Sequence, residues 1–118
     1  MCGICGQLRF DNKSVDSKDL NIMMSKIARR GPDSSGEWAQ TGVGFGHQRL
    51  SIIDLSNHAH QPMEDQVLDL VLVFNGTIYN YKALRVELSK QGYEFFSQSD
   101  TEVILKAYHF WGKDCVLH

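Results

Sequence analysis

Hydrophobic positions along this chain alternate between a period of two and a period near 3.6, so strands and helices are both predicted, interleaved. Ile4, Gly6, Leu8 and Phe10 share one side of an alternating segment, which predicts a half-buried strand; Asp11-Asn12-Lys13 then supplies turn chemistry. Ser17 is the expected N-cap of a helix with Leu20, Met23, Met24, Ile27 and Ala28 at helical spacing. Arg29 and Arg30 suit the negative end of its dipole, and Gly31-Pro32 stops it. Period-two alternation from Gly36 to Leu50, with glycines at 36, 42, 44 and 46, predicts a hairpin of closely packed strands. The apolar run from Leu68 to Phe74, ending at Asn75-Gly76, predicts a strand buried on both faces. A helix is expected over Tyr81 to Lys90, carried by Leu84, Val86 and Leu88 and closed by Gly92, followed by a short aromatic strand around Tyr93 to Phe96. Thr101 to Trp111 then predicts a helix with Val103, Ile104, Ala107, Tyr108 and Trp111 on its apolar side. Paired strands mixed with helices indicate an α+β fold.

Composition narrows the function classes. The 118 residues suffice for one domain. Hydrophobic residues make up 42% and charged residues 22%, ordinary values that exclude disordered, collagenous and coiled-coil chains. Twelve Lys and Arg stand against 14 Asp and Glu, a net charge of -2, so no basic field exists to hold a phosphate backbone and nucleic acid is not an expected partner. The longest uninterrupted apolar run, Leu70 to Phe74, is far below the ~20 residues a membrane span needs, and no membrane association is expected. Met1 to Gly6 lacks the basic and apolar regions of a secretory signal. Three cysteines, Cys2, Cys5 and Cys115, do not make a disulfide framework, and a cytoplasmic location is expected. Beyond Gly112 the segment Lys113 to His118 carries Cys115, Val116 and Leu117 with no capped or charged tail, which reads as a break in mid-domain.

Cys2 is the first candidate for chemistry. An initiator Met before so small a residue is normally trimmed, which leaves an α-amino group beside the thiol. In unperturbed peptides these groups titrate near about 8 and 8.5, so proton exchange between them is almost thermoneutral and the amine is a built-in general base. Cys5 completes a C-x-x-C, so a redox pair, zinc ligation with His58 and His60, or a plain buried thiol are the competing readings. Arg49, among apolar neighbours in Gly46-His47-Gln48-Arg49-Leu50-Ser51-Ile52-Ile53-Asp54, suits bidentate capture of a carboxylate or a structural pairing with an acid such as Asp54. Asn75 and Gly76, at the end of a strand, offer an amide and a backbone N–H to a developing oxyanion, or are an Asn-Gly turn and no more. Asp100 in Ser99-Asp100-Thr101-Glu102 is a partner for a substrate ammonium or a helix cap.

In order along the chain, Cys2-Gly3-Ile4, Arg30-Gly31-Pro32-Asp33, Gly46 to Asp54, Gln61-Pro62, Asn75-Gly76-Thr77-Ile78-Tyr79-Asn80 and Ser99-Asp100-Thr101-Glu102 resemble the motif series of class II glutamine amidotransferase domains, specifically those of asparagine synthetases. The finer run of Arg9-Phe10-Asp11, Phe74 to Tyr81 and Gly92-Tyr93-Glu94-Phe95-Phe96 is similar to the asparagine-synthetase-like N-acetylglutaminylglutamine amidotransferases. The resemblance implies the N-terminal-nucleophile hydrolase fold, an αββα sandwich of two antiparallel sheets between helices. Residues 1–118 would be the N-terminal part of a type-2 glutamine amidotransferase domain, cut short at its C-terminus and without the synthetase domain that follows it.

The implied activity is hydrolysis of L-glutamine by Cys2, with Asn75 and Gly76 as oxyanion donors. Arg49 would take the substrate α-carboxylate, Asp100 the α-amino group, and Leu50, Ile52 and Ile53 the pocket wall. Thr77 stands where the family commonly has Glu near the amino end of bound glutamine, which implies weaker binding or a variant pocket. No cofactor or metal is implied in this domain, whereas ATP and Mg²⁺ belong with the absent synthetase domain that would use the ammonia. The 118 residues alone are expected to release little ammonia and to expose sheet edges that favour a homodimer. A C-x-x-C zinc or redox module and a non-catalytic interaction fragment are the readings from other classes.

Overall fold

A computed structural model describes residues 1–51 and 56–118. They form an α+β arrangement of two small antiparallel sheets with helices, divided into two compact units. Among the described residues, the first unit holds 1–51, 60–62 and 73–76, and the second holds 56–59, 63–72 and 77–118.

In the first unit strands β1 (Gly3–Leu8), β2 (Ser34–Gln40) and β3 (Val43–Arg49) make a sheet in the order β1-β3-β2. The hairpin between β2 and β3 turns at Thr41-Gly42, where Gly42 has φ +87, a left-handed value that suits glycine. Helix α1 (Ser17–Ile27) packs on this sheet through Leu20 and Met24, both buried, with Val15. Its N-cap is Asp16, one residue before the expected Ser17: the Asp16 carboxylate accepts from Lys18 N at 2.8 Å. The cationic last turn continues as a short 3-10 segment, Ala28–Arg30, up to Gly31-Pro32.

The alternation in β1 is as expected, but its sides are exchanged. Gly3 is buried against Ile27 of α1, whereas Ile4 and Leu8 are 47% and 64% exposed and Phe10, beyond the strand, is 89% exposed. The reason lies in helix-to-sheet distance. A Cβ on Gly46 would stand 2.7 Å from both Cys5 Sγ and Met24 Cγ, so α1 settles on the side of the sheet that small residues keep flat.

In the second unit β4 (Met63–Asp65) pairs with β5 (Leu70–Leu72). The strand expected over Leu68 to Phe74 is thus only three residues long and half-buried rather than buried on both faces. Asp69, with φ 53, leads into it, and Val73 and Phe74 lie outside any strand. Helices α2 (Tyr81–Lys90) and α3 (Asp100–Trp111) bury Leu84, Leu88, Val103 and Ala107 against each other, with Ile78, Tyr93, Phe95 and Trp111 packed around them. Tyr108 is half exposed and Lys106 buried, so the buried side of α3 is rotated from the apolar stripe read in the sequence. Tyr93 to Phe96 is not a strand either. The Phe96 and Ser97 N–H groups donate to Glu102 at 2.9 and 2.7 Å, and a side chain thereby replaces a ladder. Gly112–Leu117 forms a 3-10 segment, and the His118 ring stacks on Trp111 at 4.1 Å. Among the described residues no helix is long and apolar enough to cross a membrane.

Candidate functional site

Cys2 immediately precedes β1. Strand alternation puts it on the side of Ile4, away from α1. Ile4 faces His47 in the β1–β3 register, and Arg49 lies two residues further along β3, so Cys2, His47 and Arg49 belong to one side of the sheet. The Leu50 N–H lies 3.3 Å from Cys2 Sγ, and the thiol lies 3.5 Å from Leu50 O. Arg30 Nε donates to Cys2 O at 3.1 Å, so Arg30-Gly31-Pro32-Asp33 meets the chain start directly. At the far end of that motif Asp33 N donates to Arg49 O at 3.0 Å, and the Asp33 carboxylate accepts from Ser51 N at 2.7 Å. Arg49, Leu50 and Ser51 are thus held from both the N-terminal segment and the turn after α1. Arg49 is buried and Leu50 half-buried. Ile52 and Ile53 lie outside the described residues.

Asn75 is half-buried and Gly76 exposed, on an irregular stretch that belongs to the first unit. The residue before them is held by two side chains: Phe74 N donates to Gln61 Oε1 at 2.6 Å, and Phe74 O accepts from His47 Nε2 at 3.3 Å. His47 is fully buried, and that burial pushes its pKa down, with the nearby charge of Arg49 and His60 acting in the same direction.

Two further predicted residues lie in the second unit. Thr77 is exposed. Asp100 is buried, and its carboxylate accepts from Ile78 N at 2.9 Å. It does not cap α3; Ser99 does, accepting from Glu102 N at 3.2 Å. A cleft of about 670 Å³ in this unit is lined in part by Asp65, Leu68, Tyr93, Phe96, Lys106 and Phe110. Its buried cation, Lys106, is shared between two carboxylates. Lys106 Nζ donates to the Asp65 carboxylate and lies 3.8 Å from Glu102 Oε1. Burial works to raise the Asp65 pKa, but the Lys106 hydrogen bond, the Val67 and Leu68 N–H groups and the Lys106 charge outweigh it and lower it.

Cys2 and Cys5 do not cooperate. A three-residue offset along an extended strand points their side chains to opposite sides, and Cys5 lies with Met24 around Gly46, where burial pushes its thiol pKa up. All three cysteines are free, and no three His, Cys, Asp or Glu side chains converge as metal ligands among the described residues. This removes the geometric basis of a C-x-x-C pair. The sequence motifs contain His47, Gln61 and Glu102 without a role for any of them, and Lys106 lies outside every motif. The alternation that puts His47 on the Arg49 side and the Ser-x-x-Glu pattern at Ser99 to Glu102 were available signals; Gln61 was marked only by its place in Gln61-Pro62, and Lys106 by none.

The whole chain, residues 1–118, matches the sequence model of a glutamine amidotransferase domain. It is 39% identical to the glutamine-hydrolysing asparagine synthetase 3 of Bacillus subtilis, over 100% of this chain and 20% of that protein. It is 41% identical to a putative glutamine-hydrolysing asparagine synthetase 2 of Methanocaldococcus jannaschii, over 98% of this chain and 25% of that protein. With a putative glutamine-hydrolysing asparagine synthetase of Mycobacterium tuberculosis the identity is 50%, over 94% of this chain and 20% of the other. The chain therefore spans a fifth to a quarter of the length of these relatives.

Proposed function

Since the chain belongs to the glutamine amidotransferase domain family, we propose that it hydrolyses L-glutamine to glutamate and ammonia at Cys2. The observation that carries this reading is the surroundings of the Cys2 thiol: Sγ lies 3.3 Å from Leu50 N, on the side of the sheet that holds Arg49. Removal of Met1 frees the Cys2 amine, which takes the thiol proton. The thiolate then attacks the γ-carbonyl carbon of glutamine, forming a C–S bond and an oxyanion. Asn75 Nδ2 and Gly76 N donate to that oxygen. As the C–N bond breaks, the ammonium returns its proton to the departing nitrogen, which leaves as ammonia. Water, deprotonated by the same amine, hydrolyses the thioester and regenerates the thiol.

Arg49 binds the α-carboxylate through its two parallel N–H groups, and Asp100 the α-amino group; Leu50, Ile52 and Ile53 form the wall. The Asp100 carboxylate already accepts from Ile78 N, and it retains acceptor capacity for an ammonium. Thr77 offers a hydroxyl where the wider family places a charge, so the ammonium end is held less strongly than in Glu-bearing relatives. The two antiparallel sheets with helices agree with the N-terminal part of an N-terminal-nucleophile sandwich. In the protein at its natural length, a synthetase domain using ATP and Mg²⁺ would activate an acceptor carboxylate and join the ammonia to it as an amide, as in asparagine synthesis or N-acetylglutaminylglutamine amide synthesis.

The test is ammonia release from glutamine by the protein at its natural length, with intact-mass analysis of the N-terminus. Turnover with Met1 absent supports the mechanism, and turnover with Met1 retained overturns the role of the amine.

A further inference from the structure

Both hydrogen-bonding groups of Phe74 are taken by side chains, in a stretch where no strand supplies partners. Its N–H lies in the peptide plane shared with Val73, and Gln61 Oε1 fixes that plane at 2.6 Å. Its carbonyl lies in the plane shared with Asn75, and His47 Nε2 fixes that one at 3.3 Å. With both planes held, the two backbone torsions of Phe74 are determined, and with them the direction in which the chain enters Asn75-Gly76. We propose that His47 and Gln61 are positioning residues, which aim the Asn75 and Gly76 donors by clamping the two peptide planes around Phe74. The proposal rests on the glutaminase reading for its kinetic consequence, though not for the clamp itself.

The two clamping side chains are themselves well anchored. His47 is fully buried on β3, and Gln61 is 8% exposed. A Cβ on Gly36 would stand 2.3 Å from Gln61 O, so the glycine lets the Gln61 backbone lie directly against β2. Because its partner is a carbonyl, His47 Nε2 carries the hydrogen. Nδ1 is buried with no hydrogen-bond partner among the described residues, so a second proton there would meet no acceptor. Burial and the nearby Arg49 charge oppose protonation and outweigh the Phe74 carbonyl, whose hydrogen bond favours it. The imidazole is therefore a neutral, single-proton donor. Gln61 is neutral too, and the clamp brings no negative charge to the segment meant to receive an oxyanion.

The experiment compares His47→Leu, His47→Gln and Gln61→Leu with the wild type in the protein at its natural length, by glutamine kinetics and by residue-resolved amide exchange. The clamp predicts kcat reduced about ten- to a hundredfold in the two Leu variants with the glutamine KM within about twofold, as expected for misaimed oxyanion donors. It also predicts that His47→Gln, which keeps an N–H donor, recovers most of the loss. Exchange at Phe74 should quicken about tenfold or more in both Leu variants while the β2–β3 hairpin amides stay unchanged. Unchanged Phe74 exchange in both Leu variants overturns the clamp whatever the substrate, and so does a His47→Gln that folds yet performs no better than His47→Leu. If the wild type releases no ammonia while the Leu variants show faster Phe74 exchange, the glutamine reading falls and the clamp stands.

Discussion

Two irregular segments, one in each unit, are held by buried side chains, and the chemistry that holds them differs. Phe96 and Ser97 are held by a carboxylate: Glu102 accepts from both N–H groups and from Ser97 Oγ, and shares the Lys106 ammonium with Asp65. Val73 to Gly76 is held by the neutral His47 and Gln61. Charge-assisted bonds are the stronger kind, so the second unit has the firmer grip. A carboxylate beside Asn75, however, would repel an oxyanion forming there. The contrast teaches that the charge a segment must receive limits which groups can hold it: on the proposed glutaminase reading, the neutral grip falls on the segment that would meet an oxyanion, and the ionic grip elsewhere.

The comparison can be broken most severely at the nucleophile. Cys2→Ala should lower ammonia release about 10⁴-fold or more, as removal of a nucleophile does elsewhere, with the fold intact by circular dichroism. In the second unit Lys106→Met should lower stability by about 3–5 kcal/mol in urea unfolding, because it leaves the Asp65 carboxylate buried and uncompensated. The double variant Lys106→Met/Asp65→Leu should regain only part of that loss, because the buried Glu102 still lacks the cation 3.8 Å away. Arg49→Ala should raise the glutamine KM by a factor equivalent to about 2–5 kcal/mol, with Arg49→Lys recovering only part. An unchanged KM would make Arg49 a structural cation.

The smallest expected effect is a pH dependence that separates the two units. The folded-state pKa of His47 is depressed below its unfolded value, so between the two values the unfolded chain binds more protons. Stability from the neutral imidazole is therefore complete above about pH 6.5 and is lost as pH falls through the folded value. Asp65 is also depressed, and its contribution, present above about pH 3.9, is lost at lower pH still. Exchange at Phe74 should quicken first during acidification, and exchange at Val67 and Leu68, whose N–H groups bond Asp65 at 3.1 Å, only afterwards.

The sequence was most legible where local chemistry and tertiary packing agree. Helix α2 and the Thr41-Gly42 hairpin follow from periodicity and one glycine, since nothing distant competes with them. It was least legible where a remote side chain replaces a backbone partner. Tyr93 to Phe96 has strand composition, yet Glu102 takes its last N–H and the next one. The apolar run to Phe74 leaves its ladder after Leu72, and Phe74 finds Gln61 and His47 instead. Polar β4 was invisible because Asp65 is buried only with Lys106 across from it, 41 positions away in the chain. Among the candidate site residues, Cys2, Arg49, Leu50, Asn75 and Gly76 fall in one unit and Thr77 and Asp100 in the other. Their motifs were readable; which remote backbone groups His47, Gln61 and Glu102 hold was not.

The six-residue alignment of β1 on β3, Gly3 with Gln48 through Leu8 with Val43, has an arithmetic consequence. Sliding β1 by one position would swing the Cys2 thiol to the α1 side and bring a glycine out in its place. Sliding it by two would restore the side but carry the sulfur about 7 Å along the sheet, out of reach of Leu50 N. Only one of the nearby alignments keeps the sulfur beside Leu50 N, so on the proposed reading an insertion or deletion between Phe10 and Lys13 that disturbs this pairing is expected to abolish glutamine hydrolysis without unfolding the chain.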